Sequence, residues 1–291
     1  MIADQKDFIT PHITDAHTLD FPCFADAAHW YQRLIPQTCE YELPRWAPIH
    51  IGNFSLDISP TRHVVMLWIA ALLCIITTLL ALRAHNRKTR EGKAPSGIGN
   101  GLEALVLYLR NEVVLPNVGA HGNGYVPYLL TLFFLILFAN LLGLVPYGAT
   151  ATGNISVTAT LAIVTFIVIE FAGMKAQGKA YINTIVFWPH DMSLGMKLFI
   201  SPILTPIELI GKFAKPIALA IRLFANMVSG HVVLLALISL IFTFASWILV
   251  PLPIAVALGI SLLELFVAFL QAFIFTLLSS VFIGLIREGA H

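Results

Sequence analysis

The chain has 291 residues, 58% of them hydrophobic and only 11% charged, with a net charge of +1 and a mean hydropathy of +0.83. A soluble domain carries about 25% charged residues, so this composition excludes one and points to a polytopic membrane protein. Nothing in the charge suggests a nucleic-acid partner, and Cys23, Cys39 and Cys74 lack the C-x-x-C spacing of a metal or redox centre, so no cofactor is expected.

No basic-then-apolar leader opens the chain, so insertion is expected to rely on internal spans and not on a cleaved signal peptide. Residues 1–62 are polar and aromatic. Prolines at positions 11, 22, 36, 44, 48 and 60 break any long helix there, which predicts short elements at the membrane surface. A first span follows at residues 63–82, without a charge, and Arg83, Arg87, Lys88, Arg90 and Lys93 come directly after it. Positive charge resists translocation, so that end is expected in the cytoplasm and the amino terminus outside, where a bridge between Cys23 and Cys39 is permitted.

Residues 83–124 are then a cytoplasmic loop. Residues 94–101 read as a linker by their Gly and Pro content. Beyond them Leu102, Leu105, Val106, Leu109 and Val113 share one helical face from which Glu103, Arg110 and Glu112 fall away, the pattern of an interfacial amphipathic helix. Residues 125–174 read as a hairpin of two spans, 125–145 and 155–174, around a loop with Pro146, Gly148 and Gly153. Lys175 and Lys179 return the chain to the cytoplasm, and 175–202, including Trp188–Met192, form the second inner loop.

The remainder, 203–291, holds two longer apolar stretches, 216–250 and 253–286. At 1.5 Å per residue each is ~50 Å long against a hydrocarbon core of ~30 Å, so unbroken helices must be strongly tilted; a kink at Ser229 and Gly230 is the competing account. The expected fold is therefore all-α: five membrane helices, the last two long and strongly tilted, plus one interfacial helix, with the carboxy terminus inside.

Between Pro216 and Ile286 the only Asp, Glu, Lys or Arg residues are Arg222 and Glu264. A guanidinium near the bilayer centre costs between ~3 and ~15 kcal/mol, so it persists only facing protein or water and with a partner. The positions three and four residues away are Leu219, Ala218, Ala225 and Asn226, none of them a carboxylate, so the counter-ion must come from another element or another chain.

The run IRLFANMVSGH (221–231) followed by LLELFVAFLQAFIF (262–275) resembles the signature of subunit a of F-type ATP synthases, the stator half of the proton channel. The resemblance extends to residues 127–146, 154–163 and 205–216, and does not reach the first 60 residues. It implies a bacterial inner-membrane location and, as partners, the rotor-ring subunit c oligomer, peripheral-stalk subunit b and the lipid bilayer. It also implies that the chain does not catalyse ATP chemistry itself, in keeping with the absence of a GxxxxGK[ST] motif.

Arginine stays protonated at any accessible pH, so Arg222 cannot pass protons and instead presents a fixed charge, a gate. A carboxylic acid on a passing partner loses its proton beside that charge and regains it in a low-dielectric, lipid-facing position. The resemblance makes this partner the carboxylate of each rotor-ring subunit. Glu264, mid-span, and His231 are suited to relay protons. Many bacterial members carry an acid at the position of His231 and a histidine at that of Glu264; here the two are exchanged, as in mitochondrial members.

Arg222 and His231 are nine residues apart, on opposite helical faces and ~13 Å apart along the axis, so they are not one ion site. Gln271 and Asn226 are assigned to polar contacts near Arg222, with helix-packing hydrogen bonds as the alternative. Glu208, with Lys212 and Lys215 nearby, either serves proton exit or belongs to a solvated interfacial ion pair. Asn140 and Asn154, at the outer end of the hairpin, either line the inlet path or cap helices. Glu170 is expected to meet headgroups. The competing functions are a secondary antiporter with Arg222 and Glu264 as its ion pair, which predicts inverted repeats not visible here, and a membrane anchor, which needs no intramembrane charge.

Overall fold

The computed structural model describes residues 17–23, 37–46, 49–51, 54–56, 59–90, 98–119, 122–145, 150–178, 181, 194–244 and 251–288. Before the first helix these residues form two antiparallel hairpins. Strand β1 (Thr18–Cys23) pairs with β2 (Gln37–Glu42), and β3 (Ile49–Ile51) with β4 (Phe54–Leu56). Prolines exclude helix in this region, but a strand with an open edge tolerates one, as β1 does at Pro22. These few strand residues aside, the described chain is helical, in keeping with the all-α expectation. The register sets Cys23 across from Gln37 and Cys39 across from Phe21, which makes the cysteines diagonal neighbours and not a cross-strand pair.

From Arg62 onward the described chain is helical. Helix α1 (Arg62–Arg90) presents Trp68, Leu72, Ile75 and Leu79 outward, as a lipid-facing span does. Helix α2 (Ile98–Tyr108) widens into a π-helical turn (Leu109–Val114) and continues as α3 (Leu115–Val118), buried along Leu109, Val113 and Val114. Gly119, at φ 76°, ends it in a backbone conformation that favours glycine.

Four long helices follow: α4 (Val126–Gly143), α5 (Ile155–Gln177), α6 (Leu194–Phe244) and α7 (Pro251–Glu288). Together with α1 they make five helices, among the described residues, long and apolar enough to cross a membrane. Helix α6 starts at Leu194, inside the stretch expected to be loop, and runs on through Pro202 and Pro206, within a bundle where neighbouring groups can take up the backbone bonds that proline forfeits. It also continues unbroken through Ser229 and Gly230. The 39-residue apolar part of α6 and the 38 residues of α7 are each ~57 Å long. That is nearly twice the ~30 Å hydrocarbon thickness, the length excess that forces tilt. The loop around Trp188–Met192 and linker residues 94–97 lie outside the described residues.

The chain divides into two compact units, one of Met1–Leu73, Leu137–Val157 and Phe224–Phe269, the other of Cys74–Ile136, Thr158–Leu223 and Leu270–His291. In lipid, helices gain little from hiding apolar surface and associate by close approach and buried hydrogen bonds. The second unit does both. Val114, Val118, Val126, Leu129, Ile169, Ala172 and Ile283 form one buried cluster, and Gly284 lets α7 close onto the Asn117 backbone. Tyr128 donates to Thr165 across 3.0 Å, and Gln177 donates to the Ile286 carbonyl. Arg287 donates to the Val118 carbonyl at 2.9 Å and lies over the Tyr125 ring, 5.4 Å from its centre, which ties down the end of α7.

Candidate functional site

The first unit holds Asn226, His231, Glu264, Asn140 and Asn154. The carboxyl of Glu264, on α7, lies directly over Gly230 of α6, the residue next to His231; a side chain at Gly230 would occupy its place. Glycine here is a spacing device: it lets a carboxylic acid sit between the two long helices beside the imidazole-bearing turn. Glu264 is half-buried, and its Oε2 is buried with no hydrogen-bond partner among the described residues.

One turn further along α7, the buried Asn140 of α4 donates from Nδ2 to the Ala268 carbonyl at 3.3 Å and accepts at Oδ1 from the Thr152 hydroxyl at 2.7 Å. Thr152 and Asn140 are both fully buried, so this pair satisfies polar groups that would otherwise be costly in the bundle. The neighbouring Thr150 carbonyl receives Nδ1 of the buried His63 at 3.0 Å, which fastens the start of α1 to the hairpin turn. Asn154 accepts from the Ser156 amide at 2.8 Å and so caps α5. Asn226 is exposed on α6 and its carbonyl accepts from Ser229.

The second unit holds Arg222, Gln271 and Glu208. Arg222 is exposed on α6 in a strip that includes Ala218, Ile221 and Ala225, and it makes no ion pair or side-chain hydrogen bond among the described residues. Gln271 is buried in α7, 1% exposed. Glu208 lines a cavity of about 260 Å³ with Glu170, Gln177, Lys212 and Lys215 as its polar walls. Lys212 pairs with Glu170 at 3.6 Å and not with Glu208, and lies over the Tyr181 ring. Glu170 therefore meets a lysine of α6 where headgroups were expected.

Residues 64–284 match the family described as ATP synthase A chain. The chain is 45% identical over 287 residues to "ATP synthase subunit a 2" of Chlorobaculum tepidum, covering 97% of this chain and 74% of that protein. It is 44% identical to "ATP synthase subunit a" of Chloroherpeton thalassium over 94% of this chain and 74% of that one. For the protein of the same name from Anaeromyxobacter dehalogenans the figures are 41%, 96% and 69%. The chain belongs to the ATP synthase A chain family.

Two features of the candidate site in this integral membrane protein escaped sequence reasoning. Thr152 is one of many threonines in an apolar hairpin, and only the fold aims its hydroxyl at Asn140. Gly230 invited a kink because Ser-Gly pairs bend helices, whereas its structural use is the space it leaves for Glu264. The signal was present: a glycine adjacent to a titratable residue within a membrane helix marks close approach as readily as bending.

Proposed function

We propose that the chain is the stator subunit a of an F-type ATP synthase, which couples proton passage through two offset half-channels to rotation of a ring of c subunits. The observation that carries this reading is the exposed Arg222, a fixed charge on a membrane helix with no counter-ion among the described residues of its own chain. A charge in that setting requires a partner, and a carboxylate on another chain supplies it. Each ring carboxylate is held ionised while it faces Arg222 and is protonated before it turns into lipid. The same charge blocks a direct leak between the half-channels.

Glu264 and His231, with Asn140 one helical turn away from Glu264, serve one half-channel; Asn226 and Gln271 supply polar contacts near Arg222; Glu208 stands at the mouth of the other. Asn154 holds the inlet turn in place through its cap on α5. The chain carries out no ATP chemistry itself and is held by peripheral-stalk subunit b. It lies in a bacterial inner membrane with the amino terminus outside and residues 83–124 and the carboxy terminus in the cytoplasm, an orientation that the charge distribution favours.

Proton flux through the reconstituted membrane sector, measured with and without the rotor ring, tests the reading. Flux that needs both the ring and Arg222 supports it. Ion exchange by the isolated chain without the ring would make it an antiporter, and no flux in either state would leave a structural anchor.

A further inference from the structure

Both lysines that follow Glu208 on α6 are turned to other partners. Glu208, half-buried, lines the cavity of about 260 Å³, which has room for several water molecules. Lys212 stands four residues further along the same helix. At that spacing two Cβ atoms are ~5–6 Å apart, and a glutamate preceding a lysine is the better order for a helical ion pair. The pair does not form. Lys212 reaches across to Glu170 of α5 at 3.6 Å, with its ammonium 5.0 Å from the centre of the Tyr181 ring, and the two paired side chains are largely withdrawn from water, at 12% and 19% exposure. Lys215, the other cation on the cavity wall, lies over the Phe282 ring at 5.2 Å. The α7 side of the cavity contributes only Phe282, Leu285 and Ile286, and Gln177 of α5 is neutral. Among the described residues Glu208 therefore has no ion pair, although two lysines stand within two turns of it.

We propose that Glu170 is a positioning residue for the half-channel that opens at Glu208: by holding Lys212 against α5 it keeps the ammonium off Glu208 and leaves that carboxyl free to take up and release protons. The inference rests on the reading of Glu208 as the mouth of that half-channel. An acid that exchanges protons has to visit its charged and its neutral form in turn, whereas an ammonium within ~4–6 Å of a carboxylate favours the charged form by a factor of ten or more. Paired with Lys212, Glu208 would remain a fixed charge. Because Glu170 and Lys212 are mostly shielded from water, their attraction is screened less than that of an exposed pair, which suits Glu170 to win the lysine from a nearer carboxylate on the same helix. A bridge that merely tied α5 to α6 would be broken equally by the loss of either end. A bridge that restrains Lys212 is different, since only the loss of Glu170 sets the lysine free.

Proton-driven ATP synthesis by the intact synthase in vesicles, normalised to the content of this subunit by immunoblotting, separates the two. Glu170→Gln should lower the rate about tenfold, Lys212→Gln should leave it near the unaltered level, and the two substitutions together should restore what Glu170→Gln lost. Equal losses in the two single variants, a fall in subunit content in both, or a double variant no better than Glu170→Gln would make the bridge a structural tie and overturn the proposal. Glu208→Gln is measured alongside. If Glu208→Gln lowers the rate and Glu170→Gln does not, the positioning role alone fails. If Glu208→Gln runs at the unaltered rate, the reading of Glu208 as the mouth of a half-channel fails, and the positioning role falls with it.

Discussion

Gly230→Ala isolates the placement of the Glu264 carboxyl from the stability of the bundle. A methyl group there would overlap Oε1 of Glu264 and come within 2.8 Å of its carboxyl carbon. The obstructed group is the far end of a flexible side chain, so it swings aside at a cost of about 0.5–1.5 kcal/mol. Alanine is favoured over glycine in a helix by about 1 kcal/mol, and the net change in stability is therefore within ~1 kcal/mol of zero. The chain should assemble normally. The carboxyl, however, is displaced by an ångström or more from its place beside the His231 turn, and a misplacement of ~1 Å at a reacting group costs on the order of 100-fold. Proton-driven ATP synthesis in inverted vesicles should fall by ~10- to ~100-fold at unchanged subunit content. Gly259→Ala on α7, where a methyl group meets nothing within 4 Å, serves as the control and should leave the rate unaltered. Wild-type synthesis in Gly230→Ala, or loss of the subunit from the complex, would refute the reasoning.

Gly284→Ala should behave in the opposite way, since its methyl group meets the Asn117 backbone carbonyl, which cannot swing; overpacking of ~1–3 kcal/mol should reduce the subunit recovered in the complex, as immunoblotting would read. Thr152→Val leaves the buried Asn140 Oδ1 without its donor and should lower thermal stability of the purified sector by ~1–3 kcal/mol, with Thr152→Ser retaining most of it. If His231 and Glu264 relay protons as a pair, His231→Leu and Glu264→Leu should each depress proton flux severely, and the double exchange His231→Glu with Glu264→His should restore part of it. A double exchange no better than the single changes argues against the relay.

Much of the membrane architecture was legible because the bilayer imposes a simple code: long uncharged runs become helices, and the five spans follow from run length. The hairpins before Arg62 were not legible, since proline content excludes helices without selecting strands, and register comes from pairing that no local window contains. The start of α6 was misjudged because prolines and charges suggest a loop in water, whereas in a bundle the lost backbone bonds are compensated by neighbours. Within the candidate site, charge was the legible part. Arg222, Glu264 and His231 stand out against apolar sequence whatever the fold. The partners of buried neutral groups were hidden: Asn140 reaches Ala268 across 128 positions of chain. The pairing of Lys212 with Glu170 and not Glu208 likewise depends on how α5 meets α6.

The central claim, that Arg222 gates a partner's carboxylate by fixed charge alone, is tested most directly by Arg222→Ala in the assembled synthase. Because Arg222 is exposed and makes no ion pair or side-chain hydrogen bond among the described residues, assembly should persist at wild-type levels. ATP synthesis driven by an imposed proton gradient should vanish, and Arg222→Lys should restore little, since an ammonium lacks the planar fork and resists desolvation. Synthesis at the wild-type rate in Arg222→Ala membranes, with the subunit present in full amount, would contradict the account.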